Sequence, residues 1–407
     1  MNYRSIVSSI LFFCVCNGFH AQDTLKVTYY NLLDFPYQQQ DRIDTLKKIL
    51  DFIQPDIFVV NELTSFNGGA LIKNNALNVN GVTDFASAVF YDGPDTDNLL
   101  FYDQTKLGLH SQYQIQTTLR DISEYVLYYK APDLSTTLDT TYLYFYSLHL
   151  KAGSDPVNVD RRDQDAEILK QYLVDNNRIN RIFVGGDFNF YNHTEQGCQE
   201  ILNGQGLTLF DPINRMGNWH NNIGYKNYHT QSTRSSTGGY AGGASGGMDD
   251  RFDFIFVSND VMNASGGVKY IENSYIAEGQ DGGHYNLAIN SSANTSVPPD
   301  IANALFYMSD HLPISLEFTL GGTVGLNSSN AKELNILYFS DDKLLQVENL
   351  KEVGSIRIFD IRGKCVLVKQ TKGHGSTLIN VAHLNTGFYI MSFVLENRLI
   401  NYKFVIN

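Results

Sequence analysis

Apolar runs of two periods alternate along most of the chain. Residues 25–30 read as a strand ending at Asn31, and in 41–53 Ile43, Leu46, Ile49, Leu50 and Ile53 recur at helical spacing until Pro55 stops the pattern. Residues 57–60 form a short buried strand that runs into Asn61-Glu62. Residues 142–150 are a strand rich in aromatics that carries His149, and 159–175 are a helix with Ile168, Leu169, Tyr172 and Leu173 on one face. Residues 181–184 are a strand leading into Gly185-Gly186-Asp187, and 251–257 and 315–318 are further strands. Strands alternating with helices, without a regular repeat, predict an α/β sandwich with mixed sheets.

The pattern changes near residue 321. Residues 321–330 are rich in Gly, Ser and Asn and read as a linker, drawn to 321–332. Beyond it, residues 334–339, 344–347, 355–359, 364–368, 377–381, 387–393 and 399–406 read as seven short strands, which predicts a small all-β sandwich over 333–407. At the other end, Arg4 precedes an apolar stretch over 6–16, and Ala21 stands before Gln22. This is the layout of a cleaved signal peptide over 1–21. Cys14 and Cys16 would leave with it. Cys198 and Cys365 are expected to remain as two free, buried thiols in different domains.

Composition narrows the class. The 407 residues suffice for two or three domains, and 43% hydrophobic against 18% charged residues excludes wholesale disorder. The 25 Tyr and 25 Phe against only 9 Pro favour sheet. Outside the N-terminus no apolar run approaches the roughly 20 residues needed to span a bilayer, so no integral span is expected in the mature chain. The net charge of -13 argues against a partner held mainly by a basic surface. The acidic excess lies within 22–320, whereas 321–407 is slightly basic.

Candidate chemistry gathers where the strands end. Asn31, Glu62, His149, Asp187, Asn189, Asp253, Asp310 and His311 all lie in or within a few residues of strand-like runs, where α/β proteins collect their functional groups. Singly each has a bland explanation as a turn residue, cap or hydrogen-bonded core group. Eight placed alike are much harder to dismiss.

The blocks Tyr30-Asn31-Leu32-Leu33, Asn61-Glu62, Ser147-Leu148-His149-Leu150, Gly186-Asp187-Phe188-Asn189, Arg251-Phe252-Asp253-Phe254-Ile255 and Ser309-Asp310-His311-Leu312-Pro313 occur in a telling order. In that order they resemble the endonuclease/exonuclease/phosphatase superfamily, which includes pancreatic-type deoxyribonucleases, apurinic-site nucleases, sphingomyelinases and inositol-polyphosphate phosphatases. The resemblance covers about 22–320 and implies a four-layer α/β sandwich: two packed mixed sheets flanked by helices. Asp360-Ile361-Arg362-Gly363-Lys364, Leu384-Asn385-Thr386-Gly387-Phe388-Tyr389 and Tyr402-Lys403-Phe404 make the last segment similar to the C-terminal sorting domain of Bacteroidetes type IX secretion.

Phosphodiester chemistry gives these residue types their use. The pattern implies a divalent cation held by Glu62, with Asn31 and Asp310 close by, that offsets charge on the phosphate. Hard oxygen donors suit Mg²⁺ or Mn²⁺, with Ca²⁺ in the same hard class, better than Zn²⁺. By the same resemblance His311 with Asp253 would form a His–carboxylate dyad to activate water, and His149 would serve as hydrogen-bond donor or general acid. Asp187 and Asn189 would orient water and phosphoryl oxygens. The second acid that partners His149 in pancreatic-type nucleases is sought around Asp95, Asp97 and 99–102, without a choice among them. Arg234 and Arg251 are the expected phosphate contacts.

Smaller features are read beside these. The Gly-rich stretch 235–247 is either a mobile surface loop or a flap over the site, His229-Thr230-Gln231-Ser232 is a candidate substrate contact, and Trp219 is read as core or loop packing rather than a base-stacking platform. The expectation is a secreted metal-dependent phosphoesterase acting on nucleic acid, delivered by the secretion machinery. A lipid or inositol-phosphate phosphoesterase is the alternative, and a catalytically silent surface or adhesion protein is the rival of another class.

Overall fold

The computed structural model describes residues 23–37, 42–131, 134, 140–236, 242–264, 267–320, 335–339, 343–350, 355–360, 363–371, 375–395 and 398–406. The signal peptide and the linker lie outside the described residues. The chain divides into two compact units, Met1–Gly322 and Thr323–Asn407. No helix among the described residues is long and apolar enough to cross a membrane.

In the first unit the chain runs β1 (Asp23–Phe35), α1 (Arg42–Ile53), β2 (Ile57–Leu63), α2 (Phe66–Ile72), β3 (Phe85–Ser87), β4 (Asp97–Asp103), β5 (Leu107–Ile115) and β6 (Ile122–Tyr129). It continues with β7 (Tyr142–His149), α3 (Pro156–Asp175), β8 (Ile182–Asp187), α4 (Gln196–Asn203), β9 (Leu209–Phe210), β10 (Asp253–Ser258), α5 (Asn259–Asn263), β11 (Val268–Tyr270), β12 (Ile276–Ala277), α6 (Pro299–Met308) and β13 (Ile314–Leu320). Among the described residues one sheet has the order β11-β13-β1-β2-β4-β3, with β12 also on β13, and a second has the order β5-β6-β7-β8-β10-β9. Both are mixed. β1 and β2 run parallel while β13 lies antiparallel to β1, and β7 and β8 run parallel while β10 lies antiparallel to β8.

Period-two patterning explains the layers. Along β7, β8 and β10, Leu143, Phe145, Phe183, Ile255 and Val257 join the core shared with the first sheet. Their neighbours Tyr146, Leu148, Ile182, Val184, Phe254 and Phe256 belong to a second core with Leu169 and Leu173 of α3 and Ile201 of α4. In α1, Leu46, Ile49, Leu50 and Ile53 join the first core with Leu305 and Met308 of α6. Between the sheets Phe183 stacks on Phe145 (centroids 4.9 Å apart) and lies 4.7 Å from Phe318. Tyr29 crosses the same interface, its hydroxyl donating to Tyr146 O at 3.2 Å. The result is the expected four-layer α/β sandwich.

Two glycines let β8 lie where it does. A Cβ on Gly185 would sit 2.7 Å from the Tyr29 ring, and one on Gly186 (φ +131°) would sit 2.1 Å from Leu148 O. Strand and backbone approach this closely only without a side chain.

The second unit consists, among the described residues, of a sheet of β14 (Asn335–Phe339), β15 (Leu344–Leu350) and β18 (Gly375–Asn380). The other sheet holds β16 (Ser355–Asp360), β17 (Cys365–Gln370), β19 (Gly387–Leu395) and β20 (Arg398–Ile406). Leu345, Val347 and Ile379 of one sheet and Ile356, Ile358, Met391 and Phe393 of the other form one core, so the predicted all-β sandwich forms. Its motifs build turns: Asp360 Oδ1 accepts from Lys364 N at 3.0 Å, and the Tyr389 hydroxyl donates to Asn385 O at 2.8 Å. Cys198 is buried, but Cys365 is exposed, which corrects the expectation of two buried thiols. It opens β17, in which no side chain is fully buried.

Candidate active site

The parallel pairs carry their polar residues to the same end of the sandwich. Asn31 is the register partner of Asn61 across β1 and β2, and His149 that of Asp187 across β7 and β8. Asp253 opens β10 opposite Asp187, and Asp310-His311 lie just before β13, separated from it by Leu312 and Pro313. Local backbone completes the aim, with Glu62 and Asn189 both in the left-handed region at φ +57° and +52°. Ser309 ties two of the elements together. Its hydroxyl donates to Asn31 O at 2.7 Å and accepts from His311 N at 3.1 Å.

The side chains converge. Asn31 Nδ2 donates to Glu62 Oε1 at 2.9 Å and to Asp187 Oδ2 at 3.1 Å, while its own Oδ1 accepts from Leu33 N. Glu62 Oε2 accepts from Asp34 N at 3.0 Å. His149 Nε2 lies 3.6 Å from Glu62 Oε1 and 3.5 Å from Asp187 Oδ2. On the other side of Asp187, His311 Nε2 lies 3.5 Å from the same Oδ2, and its Nδ1 is 2.8 Å from Asp253 Oδ2. Asn189 donates from its backbone N to Asp187 Oδ1 and from Nδ2 to Leu150 O.

Burial sets the protonation states. It raises the Glu62 carboxyl, with the Asp310 charge adding to the effect, and raises Asp187 as well. Burial lowers His149 well below the ordinary imidazole value, helped by Arg120, His311 and Lys151, so its ring is neutral near pH 7. Burial also acts against a charged His311, but Asp253, Asp187 and Asp310 outweigh it and raise that ring well above its ordinary value.

The donor set fits a hard divalent cation. Glu62, His149 and Asp187 each bring a ligand atom within 4.8 Å of the others, as do Asp187, Asp253 and His311. Asp310 Oδ1 is a buried oxygen without a hydrogen-bond partner. Asp187 therefore stands at the centre of the cluster. Asn31, expected among the ligands, also holds Glu62 and Asp187 in place through Nδ2.

Other expectations shift. Arg234 is buried, with its guanidinium donating to the carbonyls of Phe306, Gly242 and Tyr307, and Arg251 is buried in a two-point pair with Asp211 at 2.8 and 3.0 Å. Both guanidinium groups hold loops together, which corrects their expected role as phosphate contacts. Neither Asp95 nor Asp97 reaches His149. Asp95 pairs with Arg120 at 2.8 Å, Asp97 accepts from Gly93 N, and His149 Nδ1 has no partner.

In the block at 229–232 the site residue is Gln231, whose Nε2 lies 3.1 Å from Asp310 Oδ2 and 2.6 Å from His311 Nε2. Thr230 Oγ1 accepts from Asp253 N at 3.2 Å, and His229 is a core residue between the carbonyls of Met248 and Trp219. Trp219 is core as expected, donating to Phe190 O at 2.7 Å. From the Gly-rich stretch, Ala244 N donates to Asp310 Oδ2 at 2.6 Å, so residues 242–247 reach the site. Sequence reasoning missed Ser309 and the buried chain Asn61–Asn98, in which Asn61 Nδ2 donates to Asn98 Oδ1 and to Ser147 Oγ.

Fold and site together define an α/β sandwich with a buried carboxylate–histidine centre of hydrolase type. Residues 28–311 match the endonuclease/exonuclease/phosphatase family, and the chain belongs to it. Residues 338–407 match the secretion system C-terminal sorting domain, which indicates a secreted or cell-surface location and contact with the secretion machinery. Members of the family are phosphodiesterase or phosphatase hydrolases that depend on divalent metal. No curated protein matches the chain. Similar solved structures include TDP2 from D. rerio complexed with single-strand DNA product (15% identity, 72% of this chain and 98% of that one, TM-score 0.47). An endonuclease/exonuclease/phosphatase family protein from Bacteroides thetaiotaomicron (14%, 74% and 98%, 0.45) and the human Nocturnin catalytic domain with bound sulfate (16%, 74% and 97%, 0.44) are others.

Proposed function

We propose that the protein is an exported, divalent-metal-dependent phosphodiesterase that hydrolyses a nucleic-acid backbone. The observation that carries this reading is the line Asp253–His311–Asp187, in which His311 is held at Nδ1 by one carboxylate and turns Nε2 toward another. Asp253 keeps the Nδ1–H tautomer, so Nε2 is the nitrogen that can accept a proton from water. Asp187, 3.5 Å beyond, orients that water, and Asn189 fixes Asp187 from behind. His149 is neutral and donates from Nε2 toward the phosphoryl oxygens, a donor rather than a charged acid.

Glu62 and Asp187, whose ligand atoms lie together with that of His149, would hold Mg²⁺ or Mn²⁺ with Asp310 close by, and the ion would supply charge neutralisation at the phosphate. Asp187 and Asp310 are also two of the three carboxylates that keep His311 protonated. Once a cation shares their charge, Asp253 still fixes the tautomer while the pull on the proton weakens.

We assign 1–21 to export, 22–320 to catalysis, 321–332 to the linker and 333–407 to sorting. A lipid or inositol-phosphate phosphoesterase is the second reading, and the burial of Arg234 and Arg251 together with the net charge of -13 favours its zwitterionic-lipid form. A panel of duplex DNA, single-stranded DNA, RNA, sphingomyelin and inositol phosphates, each with Mg²⁺, Mn²⁺ or Ca²⁺, tests it. Turnover of nucleic acid supports the first reading, and turnover confined to lipid or inositol phosphates overturns it.

A further inference from the structure

The first unit contains a second polar hollow, formed where the segment before β4 meets β5 and β6. It encloses about 450 Å³ and is lined by Tyr91, Asp92, Asp97, Tyr113, Gln114 and Asp121 among others. That volume suits a small organic molecule. None of the residues assigned to catalysis lines it.

Asp97 is its most telling residue. The side chain is 9% exposed, its Oδ1 accepts from Gly93 N at 2.8 Å, and its Oδ2 is buried without a hydrogen-bond partner. A buried carboxylate oxygen lacking a partner is costly unless a ligand supplies one. Burial raises this carboxyl to about 6, against the Gly93 amide, and the charges of Asp92, Asp121 and Asp95 push it in the same direction. With Asp92, Asp97 and Asp121 on its wall and Asp97 Oδ2 unpartnered, the hollow is acidic and short of a donor.

We propose that this hollow binds an organic ammonium group on a small hydroxyl-bearing molecule, of the size of an amino sugar. Positive charge is what the three carboxylates lack. A bare metal ion fits less well. Among the described residues, the groups with ligand atoms close enough to share an ion are those of the catalytic cluster, and Asp92, Asp97 and Asp121 do not form such a group. The aromatic lining suits a cation as well. Tyr113 is braced by stacking on Tyr172 (centroids 5.6 Å apart), and Tyr91 is 47% exposed, so both offer ring surface to an ammonium. The Gln114 amide is held in place, its Oε1 accepting from Ser123 Oγ at 2.9 Å, and it adds hydrogen-bonding capacity for hydroxyl groups. The hollow adjoins the catalytic end through Asn98, but the ammonium proposal does not rest on the phosphodiester reading.

The test is calorimetric titration of the full chain in saturating Mg²⁺ with D-glucosamine and, as the matched neutral probe, D-glucose. Glucosamine should bind about tenfold or more tightly than glucose. Asp97→Asn and Asp92→Asn should each weaken glucosamine binding, and Glu62→Gln, in the catalytic cluster, should leave it unchanged. Asp92 is exposed, so its variant reports even if Asp97→Asn fails to fold. Equal affinity for the two sugars, no binding of glucosamine, or loss of binding in Glu62→Gln instead of the Asp variants would overturn the proposal.

Discussion

His149 and Asp187 are register partners at the ends of the parallel strands β7 and β8, and the imidazole Nε2 lies 3.5 Å from Asp187 Oδ2. Two residues 38 positions apart in the chain thus meet because their strands run side by side in the same direction. Asp187 is also 3.5 Å from His311 Nε2, so one carboxylate separates the two imidazoles. Replacing it with Asn keeps the shape but removes the charge that lies between them. Asp187→Asn should lower kcat by about 10² or more with a smaller change in KM. Steady-state kinetics on the substrate found in the panel would measure the split, and an unchanged kcat would remove Asp187 from the mechanism.

Metal dependence rests on Glu62. Chelator should abolish activity and Mg²⁺ or Mn²⁺ should restore it, while Glu62→Gln should weaken Mn²⁺ binding by at least about tenfold. Electron paramagnetic resonance of bound Mn²⁺ reads this directly. Full turnover in excess chelator would sink the mechanism.

The dyad predicts non-additivity. His311→Ala should cost about 10² to 10⁴ in rate and Asp253→Asn a similar factor. Because one residue acts through the other, the double mutant should be little slower than either single one. A double-mutant cycle that returns the product of the two losses would show that they act separately.

Gly186 places Asp187. At φ +131°, with Leu148 O 2.1 Å from where a Cβ would stand, Gly186→Ala must displace backbone. It should destabilise the first unit by about 2 kcal/mol or more, read as a lower urea midpoint, and weaken metal binding as well. A stable variant with intact metal affinity would contradict the close packing of β8 against β7.

Asp165 gives a pH signature outside the catalytic cluster. Burial, opposed by Arg161 and Arg120, raises its carboxyl from 3.8 to about 6. The folded state then binds a proton between pH 6 and pH 4 that the unfolded chain binds only near 3.8. This group therefore favours folding more as the pH falls through 6, and disfavours it above 6. Asp165→Asn should raise the melting temperature at pH 8 by about 2–4 °C and leave it nearly unchanged at pH 4. Equal shifts at both pH values would show that the ionised carboxylate is not the cause.

Removal of 321–407 should leave a folded, active first unit that is no longer delivered outside the cell. Fractionation of cells expressing the two forms, with activity assays on each, separates folding from delivery. A truncated chain that does not fold would mean that the proposed linker is placed wrongly.

Local pattern was enough to place most of the candidate residues at strand ends. Apolar runs of period two and 3.6 are written in neighbouring residues, and Asn31, Glu62, His149, Asp187 and Asp253 interrupt or end them, so their place at strand ends could be read directly. The reading also foresaw the small β-sandwich, because turn residues punctuate its strands at close intervals. Residues whose role depends on distant partners could not be read this way. Arg234 and Arg251 look like phosphate ligands in isolation. They become loop anchors because Phe306, Tyr307 and Asp211, 40 or more residues away, supply acceptors in a space that excludes water. Gln231 is one polar residue among several until the fold sets it against His311 across 80 positions. Periodicity is a property of adjacent residues and survives in the sequence. Burial, charge balance and hydrogen-bond partners are properties of space, and only the packed sheets decide them.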